Sequence, residues 1–178
     1  MASAPDIETE RCWLRPFSEV YLTERYVAWL GNPDVVRHSD QRHRRHTMDS
    51  CRAYMQSFET GPHFFMAIVA KDPALGHVGN INAYVDVHNA VADIGILVGE
   101  RSVWGRGYGS EAWGAFAKFL LKDRNLRKVT AGTMSVNHGM LGIMRRTGMN
   151  IEATRRRQAL WEGQEVDMVY AALFREEV

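Results

Sequence analysis

A glycine-rich loop constrains the fold of this chain more than any other feature. The loop lies between an apolar strand at residues 91–98 and an amphipathic helix at residues 107–122, and residues 104–110 read WGRGYGS. Alternate glycines allow backbone N–H groups to turn towards a ligand without obstruction by a Cβ atom. The first turn of a helix adds unpaired N–H donors and the positive end of its dipole. The pattern therefore predicts a binding site for a pyrophosphate.

Two common phosphate-binding designs do not fit this loop. A dinucleotide-binding fold requires an early parallel βαβ unit and an acidic residue about 20 positions further on. The segments before this loop, residues 64–70, 76–85 and 91–98, instead read as an antiparallel meander. A P-loop ends in Gly-Lys followed by Ser or Thr, and that ending is absent. A different pyrophosphate-binding fold is therefore required.

The pattern of apolar residues predicts an α/β fold with a mixed sheet and helices on both faces. The predicted elements follow the order βααβββαβαββ. Strands are expected at residues 11–17, 64–70, 76–85, 91–98, 129–134, 149–157 and 165–174, and helices at residues 19–30, 47–58, 107–122 and 137–146. The absence of repeats and linker-like stretches predicts one domain over residues 1–178.

Composition excludes several classes of protein. Hydrophobic residues make up 46% of the chain and charged residues 24%, as in ordinary globular proteins. No apolar run is long enough to span a membrane, and a net charge of +1 argues against a general nucleic-acid binder. The N-terminus shows no secretion signal, and the two cysteines, Cys12 and Cys51, suggest reduced thiols. We therefore expect a cytoplasmic protein that binds neither nucleic acid nor membrane.

Motifs in a consistent order along nearly the whole chain resemble those of the GNAT acetyltransferases, most closely the RimJ/RimL-like branch. They are Thr9-Glu10-Arg11 with Leu14-Arg15-Pro16-Phe17, residues 29–35 (WLGNPDV), Gly79-Asn80-Ile81, residues 92–96 (ADIGI), residues 103–112 (VWGRGYGSEA), residues 126–129 (LRKV) and the segment 137–149. The resemblance implies a mostly antiparallel sheet of six to seven strands, splayed at its middle. It also implies an acetyl-CoA-dependent N-acetyltransferase that uses no metal and is a monomer or a homodimer.

The same resemblance assigns residues to the cofactor. The backbone amides of the loop would hold the pyrophosphate, the backbone of residues 96–98 would pair with the pantetheine arm, and one N–H there would polarise the thioester carbonyl. An Asn at position 137 would also contact the cofactor. The implied cofactor residues are Ile96, Leu97, Val98, Arg106, Gly107, Tyr108, Gly109, Ser110 and Asn137.

Two positions that the family sometimes uses for a general acid are altered. They hold Met140 and Met144, and a thioether cannot donate a proton. A Trp, Trp104, also stands where the family loop often begins with Gln or Arg. We therefore expect the departing thiolate to take its proton from water or from another part of the protein.

An acidic residue in the central strand is the first candidate for the general base. Asp93 occupies a position where related proteins carry an acidic residue that faces the acceptor, although a structural hydrogen bond would explain it equally well. Glu100, Glu111 and His138 are weaker candidates. An alkyl ammonium has a pKa of about 10.4, so some group must remove its proton before acyl transfer.

A cluster of Arg and His residues at positions 37–46 suggests the nature of the acceptor. Arg42, His43 and Arg45 are the candidate substrate residues; a basic rim would suit a small anionic amine, such as an amino sugar carried on a nucleotide diphosphate. The alternatives are an exposed solvated face, a protein N-terminus as acceptor, which the RimJ/RimL resemblance favours, and a non-catalytic protein that senses acyl-CoA. The spacing of the histidines in this segment fits no zinc pattern, so no metal is expected.

Overall fold

Alternating apolar residues form eight strands, which join in a single mixed sheet in the computed structural model, where residues 4–178 are described. The strands are β1 (Ile7–Glu8), β2 (Cys12–Pro16), β3 (Phe64–Ala70), β4 (His77–Asp86), β5 (Val91–Val98), β6 (Lys128–Met134), β7 (Asn150–Trp161) and β8 (Gln164–Phe174). Their order is β1-β2-β3-β4-β5-β6-β8-β7, and the only parallel neighbours are β5 and β6. The predicted mixed sheet is confirmed.

Five α-helices form in residues 4–178. They are α1 (Glu24–Gly31), α2 (Pro33–Val36), α3 (Met48–Gln56), α4 (Tyr108–Lys118) and α5 (His138–Arg146). Short 3-10 turns occur at Glu19–Tyr21, Asp40–His43, Arg101–Val103 and Arg175–Glu177. No helix among residues 4–178 has the length and apolar character needed to cross a membrane.

Local capping explains most of the helix boundaries. The hydroxyl of Thr47 accepts from the N–H of Ser50 and begins α3 where the sequence predicts it. The hydroxyl of Thr23 likewise accepts from the N–H of Tyr26. The helix expected over residues 19–30 therefore begins at Glu24, after a separate 3-10 turn.

Two other elements differ from the sequence-based prediction. The sheet has one strand more than expected, because Ile7 and Glu8 pair with the inner part of β2. The helix expected over residues 107–122 changes after Lys118 into a π-helical turn, Phe119–Asp123. That turn buries three consecutive apolar side chains, which a regular helix would spread over a wide arc.

Apolar side chains pack on both faces of the sheet, as predicted. One face packs against α4 and α5, and Trp113 and Phe116 of α4 are completely buried there. The opposite face packs against α1 and α3 through a second cluster that includes Tyr26 and Phe65. Because neighbouring strand residues point to opposite faces, Met66 lies in the first cluster and Phe65 in the second.

A close approach fixes α1 over the end of β5. A Cβ atom at Gly99 would lie 2.0 Å from the ring of Trp29, so only glycine fits between strand and helix at this point. Trp29 is almost entirely buried. The glycine thus allows the helical layer to close over the strand that leads into the loop.

Candidate active site

The strands β5 and β6 separate halfway along their length. They pair only from Val91↔Lys128 to Asp93↔Thr130, whereas β5 continues for five further residues. The predicted splay at the middle of the sheet is therefore present. A cleft of about 1980 Å³ passes through this gap, and both the glycine loop and the Arg/His segment line it.

Backbone groups of β5 face the gap at alternate residues. Leu97 pairs with Asn80, and the N–H of Gly99 donates to the carbonyl of Val78 at 3.0 Å, so both residues direct their backbone groups towards β4. Alternation then directs the backbone groups of Ile96 and Val98 into the gap. Of the three residues expected to meet the pantetheine arm, these two direct their backbone groups into the gap. The backbone groups of Leu97 instead face β4, and its side chain packs among the aromatic residues below α1.

The indole of Trp104 is hydrogen-bonded to one of these backbone groups. Its Nε1–H donates to the carbonyl of Val98 at 2.8 Å, and its ring is 41% exposed in the wall of the cleft. This contact leaves the N–H of Val98 and both backbone groups of Ile96 for a ligand. Trp104 therefore ties the glycine loop to the end of β5 and closes one side of the gap.

The glycine loop presents a row of open amides. Gly107 has a φ of +91°, which an L-residue adopts only with strain, and α4 begins at the next residue. The first helical hydrogen bond runs from Glu111 N–H to the carbonyl of Gly107 at 3.0 Å. Within residues 4–178, the N–H groups of residues 107–110 therefore have no acceptor, as expected for the first turn of a helix.

Four of the five amides that the sequence predicts to hold a pyrophosphate are unpaired within the described residues. They belong to Gly107, Tyr108, Gly109 and Ser110, and together with the helix dipole they form an anion site that fits a pyrophosphate. The fifth predicted amide is engaged elsewhere, because the N–H of Arg106 donates to the carbonyl of Val103 at 3.2 Å. That bond closes the turn which gives the loop its shape.

An ion pair fixes the loop against the edge of the sheet. Arg11 Nε lies 3.1 Å from Glu111 Oε2, and the Arg11 backbone N–H donates to Glu111 Oε1 at 2.6 Å. The guanidinium of Arg11 also donates to the carbonyl of Arg106. Glu111, a weak candidate for the base, is thus held by Arg11 and does not line the cleft.

Arginine side chains surround the predicted pyrophosphate site. Arg101, Arg106 and Arg146 all line the cleft near the loop, and Arg146 Nε donates to Ser110 Oγ at 2.9 Å. Sequence reasoning missed Arg146, although a basic residue in the last turn of the predicted helix that ends at 146 was a usable signal. The positive charge on this part of the cleft complements an anionic ligand.

Asn137 has a structural role as well as a place in the cleft. Its Oδ1 accepts from the N–H of Met140 at 3.1 Å and caps α5, while its Nδ2 donates to Thr133 Oγ1 at 3.0 Å. One Nδ2 hydrogen remains unused, and the residue lines the cleft. These two hydrogen bonds fix the side-chain amide in one orientation. A contact between Asn137 and the cofactor stays a prediction.

The two methionines stand at different depths. Met144 is 2% exposed and belongs to the core, whereas Met140 is half-buried and lines the cleft. His138 is exposed and does not line the cleft. None of these side chains therefore presents a proton donor to the cleft.

Asp93 lies where β5 and β6 begin to part. Its Oδ1 accepts from Thr130 Oγ1 at 2.8 Å, across the last paired position of the two strands. Reduced solvation between the strands raises the pKa of Asp93 although the residue keeps an exposed surface, and the hydrogen bond from Thr130 opposes that change. The side chain shares a face with Gly95, which lines the cleft, but Asp93 itself does not.

Glu100 is unsuited to act as a base. Hydrogen bonds from the Ser102 hydroxyl and from Arg25 lower the pKa of Glu100 to about 2. Its carboxylate also accepts from the N–H of Ser102 and caps the 3-10 turn there. Among the acidic candidates, Asp93 is the one whose pKa is shifted in the direction that favours proton uptake.

The acceptor end of the cleft is strongly basic. All seven Arg and His residues of the segment 37–46 line it: Arg37, His38, Arg42, His43, Arg44, Arg45 and His46. Arg42 donates to the carbonyls of Ser39 (2.8 Å) and Leu160 (3.1 Å), so it ties this segment to β7. In the described chain, the side chains of Arg44 and Arg45 make no hydrogen bond or ion pair, and both residues are exposed.

Further stabilising contacts hold the segment against the tip of the β7–β8 hairpin. Arg37 pairs with Glu162 at 3.1 Å and its guanidinium lies 4.8 Å from the centre of the Trp161 ring, against which His38 stacks. The hairpin therefore encloses the acceptor end of the cleft. Sequence reasoning did not bring these two segments together.

Aromatic residues that the sequence did not single out complete the acceptor side. The hydroxyls of Tyr54 and Tyr84 lie 3.0 Å apart, and burial raises the pKa of Tyr54. Tyr170 covers Gly132, where a Cβ atom would lie 3.0 Å from its ring. Period-two alternation along β4 and β8 was the signal that could have identified Tyr84 and Tyr170.

In the described part of the chain, no three His, Cys, Asp or Glu side chains are placed to hold a metal ion. Two of the three histidines of the segment 37–46 contact protein neighbours, and His38 stacks against Trp161. His46 Nε2 lies 3.3 Å from the carbonyl of Gln41.

Comparisons with known proteins agree with this geometry. Residues 11–150 match the family model described as an acetyltransferase (GNAT) domain. No curated protein matches the sequence significantly.

Several solved structures share the fold over nearly the whole chain. A GNAT-family acetyltransferase from Bacillus anthracis is 21% identical and has a TM-score of 0.81, with 97% of this chain and 100% of that chain covered. A RimL ribosomal L7/L12 α-N-protein acetyltransferase in complex with coenzyme A is 15% identical, with a TM-score of 0.84 and coverage of 98% and 100%. A ribosomal-protein-S5-alanine acetyltransferase from Vibrio fischeri is 12% identical, with a TM-score of 0.81 and coverage of 98% of each chain.

Proposed function

The chain belongs to the GNAT family of acetyl-CoA-dependent N-acetyltransferases, and we propose that its acceptor is the primary amine of a small anionic molecule, such as a nucleotide-linked amino sugar. The observation that carries this proposal is the pair of unengaged arginines at the acceptor end of the cleft. Arg44 and Arg45 are exposed there, and the acidic residues that line the cleft, Asp34 and Asp40, already lie beside Arg101 and Arg42. An uncompensated positive surface favours an anionic ligand.

The proposed reaction is direct transfer of the acetyl group. The open amides at the start of α4 would hold the pyrophosphate of acetyl-CoA, and the N–H of Ile96 or Val98 would polarise the thioester carbonyl. Asp93 would take the proton of the amine through water, because its side chain lies beside the cleft and not in its wall. The coenzyme A thiolate would then take a proton from solvent, since Met140 and Met144 offer none.

A protein N-terminus is a second candidate acceptor. It is favoured by the names of similar structures, which include acetyltransferases of ribosomal proteins. At 12–16% identity, this likeness extends to the fold alone. An acidic peptide would also suit the basic rim.

Release of free thiol from acetyl-CoA tests the proposed acceptor. The purified protein is assayed with a phosphorylated amino sugar, a nucleotide-linked amino sugar, a seryl peptide and an aminoglycoside. We expect kcat/KM to be highest for the anionic amino sugars. A higher value for the peptide would transfer the assignment to protein N-termini.

The two free arginines provide a more specific prediction. Replacing both Arg44 and Arg45 with alanine is expected to raise KM for an anionic acceptor about tenfold, because two partly screened attractions of about 0.7 kcal/mol each are lost. Acetyl-CoA affinity should not change. The measurement is steady-state kinetics at low and moderate salt, together with calorimetric titration of acetyl-CoA.

The matched control for this variant is Arg156→Ala, which removes an equally exposed arginine on β7 outside the cleft. Arg42 is unsuitable for this test because its two backbone contacts hold the segment in place. Unchanged acceptor kinetics in the double variant would show that the segment 37–46 is only a solvated face.

A further inference from the structure

Asn80 is a buried polar residue in the wall of the cleft. It is 4% exposed, and Asn80 and Thr133 are the two buried polar residues of the described core. The hydroxyl of Thr133 accepts from Asn137, whereas the Nδ2 of Asn80 has no hydrogen-bond partner among the described residues. A buried donor without a partner is unusual in a native protein and calls for an explanation.

The neighbouring histidine fixes the orientation of this amide. His77 Nε2 lies 2.9 Å from the carbonyl of Gly79 and 2.9 Å from Asn80 Oδ1. A carbonyl only accepts, so His77 Nε2 must carry a hydrogen, and the atom of Asn80 that faces it must be the oxygen. This holds for the neutral and the charged imidazole alike. The NH₂ group of Asn80 is therefore turned away from His77.

The surroundings of Asn80 belong to the acceptor side. Asn82 and Tyr84 follow on the same face of β4, and all three residues line the cleft. The side-chain amide of Asn82 makes no hydrogen bond within the described chain. It lies over Gly95, where a Cβ atom would approach Asn82 Oδ1 to 3.0 Å. The gap that would take the pantetheine arm lies instead along the opposite edge of β5.

We propose that Asn80 is a specificity-determining residue whose Nδ2 donates to an oxygen carried on the carbon next to the amine-bearing carbon of the acceptor. A ring hydroxyl of an amino sugar and the carbonyl of an α-amino amide both present such an oxygen. A simple alkylamine does not, and it would leave the buried donor unpaired. This inference rests on the proposed function, because it concerns the acceptor of that same site.

Asn80→Asp provides the decisive variant. The aspartate keeps the volume and the acceptor atom that faces His77, but it replaces the donor with an acceptor. Asn32→Asp is the control, because Asn32 caps α2 outside the cleft and aspartate caps a helix equally well. Both variants should bind acetyl-CoA within about twofold of the original affinity, as measured by calorimetry.

Matched acceptors then identify the oxygen. The first pair is glucosamine 1-phosphate and its 3-deoxy analogue, which tests the 3-hydroxyl because the oxygen on C1 is held in the phosphate ester in both compounds. The second pair is serine amide and its counterpart without the carbonyl oxygen. With the original protein, loss of the oxygen should lower kcat/KM at least about tenfold in the pair that resembles the true acceptor. In Asn80→Asp, kcat/KM for the oxygen-bearing compound should fall by the same factor. For its analogue, kcat/KM should not fall further. Equal losses for both members of each pair would overturn the proposal.

A binding measurement separates this inference from the proposed function. The side-chain NH₂ signal of Asn80 is followed by ¹⁵N NMR in the coenzyme A complex during titration with glucosamine 1-phosphate and with serine amide. Binding that shifts this signal without any turnover would support the role of Asn80 while contradicting the proposed reaction. Binding that leaves the signal unchanged would overturn the role of Asn80 alone, and no binding by either compound would overturn both.

Discussion

Replacing Ser110 with aspartate is expected to weaken acetyl-CoA binding about 100-fold without destabilising the fold. Ser110 is the third residue of α4, and its amide is one of the four open donors. A carboxylate about 5 Å from a phosphate charge, at an effective dielectric constant of about 20, is repelled by about 3 kcal/mol. That free energy corresponds to a factor of about 100 in the dissociation constant.

The same substitution should stabilise the protein slightly. An acidic side chain in the first turn of a helix interacts favourably with the helix dipole by about 0.3–1 kcal/mol. Arg146, whose Nε now donates to Ser110 Oγ, could pair with the new carboxylate. Cofactor affinity and thermal stability should therefore change in opposite directions, which a general folding defect cannot produce.

Calorimetric titration with acetyl-CoA and thermal denaturation without ligand measure these two effects. Ser110→Asn is the matched control, since it has nearly the same shape as aspartate but no charge, and it should lose no more than a few-fold in affinity. Equal dissociation constants for the two variants would show that the pyrophosphate is held elsewhere.

Asp93→Asn is expected to lower kcat about 100-fold near pH 7, because a positioned general base typically contributes a factor of about 10²–10⁴. Acetyl-CoA affinity should be unchanged, since Asp93 lies at the other end of the gap from the glycine loop. Asparagine still accepts from Thr130, so the contact between β5 and β6 remains. Pre-steady-state and steady-state rates with the best acceptor provide the measurement.

Thr130→Val tests the same assignment through the pH profile. The hydrogen bond from Thr130 stabilises the ionised carboxylate and lowers the pKa of Asp93. Its removal should raise that pKa, so the rising limb of kcat against pH should move to higher pH, with activity lost on the acidic side. Valine has the shape of threonine, which preserves the strand.

Two results would contradict a base at position 93. One is a rate for Asp93→Asn within twofold of the original across the pH range. The other is an unshifted profile in Thr130→Val. Either result would leave Asp93 as an acceptor that joins β5 to β6 at the start of the splay.

Sequence alone predicted the features that depend on neighbouring residues. The glycine loop, the Thr47 cap and the alternating strands are local patterns, and each appears where the sequence places it. The orientation of residues 96–98 depended on register, which the sequence left open. Pairing of Leu97 with Asn80 decided that Ile96 and Val98 face the gap.

The Arg/His segment shows why the rest of the site could not be predicted. Its composition suggested seven equivalent basic side chains, but contacts with a hairpin more than 100 positions away distinguish three of them from the others. Arg37, His38 and Arg42 are held by Leu160, Trp161 and Glu162, whereas Arg44 and Arg45 remain unengaged in the described chain. Composition carries no information on which charge is neutralised by a distant partner.

The sequence by itself thus determined the family and the donor, through motifs in a consistent order along nearly the whole chain. It also predicted the loop that would bind the donor, because a tight turn followed by a helix start is encoded within a dozen residues. The tertiary structure decided how that loop is held and what the acceptor meets. Arg11 clamps Glu111 from 100 positions away, and packing of His77 against Asn80 turns a buried donor away from its neighbour. Such features depend on contacts between elements that are distant in the sequence, and no local pattern encodes those contacts.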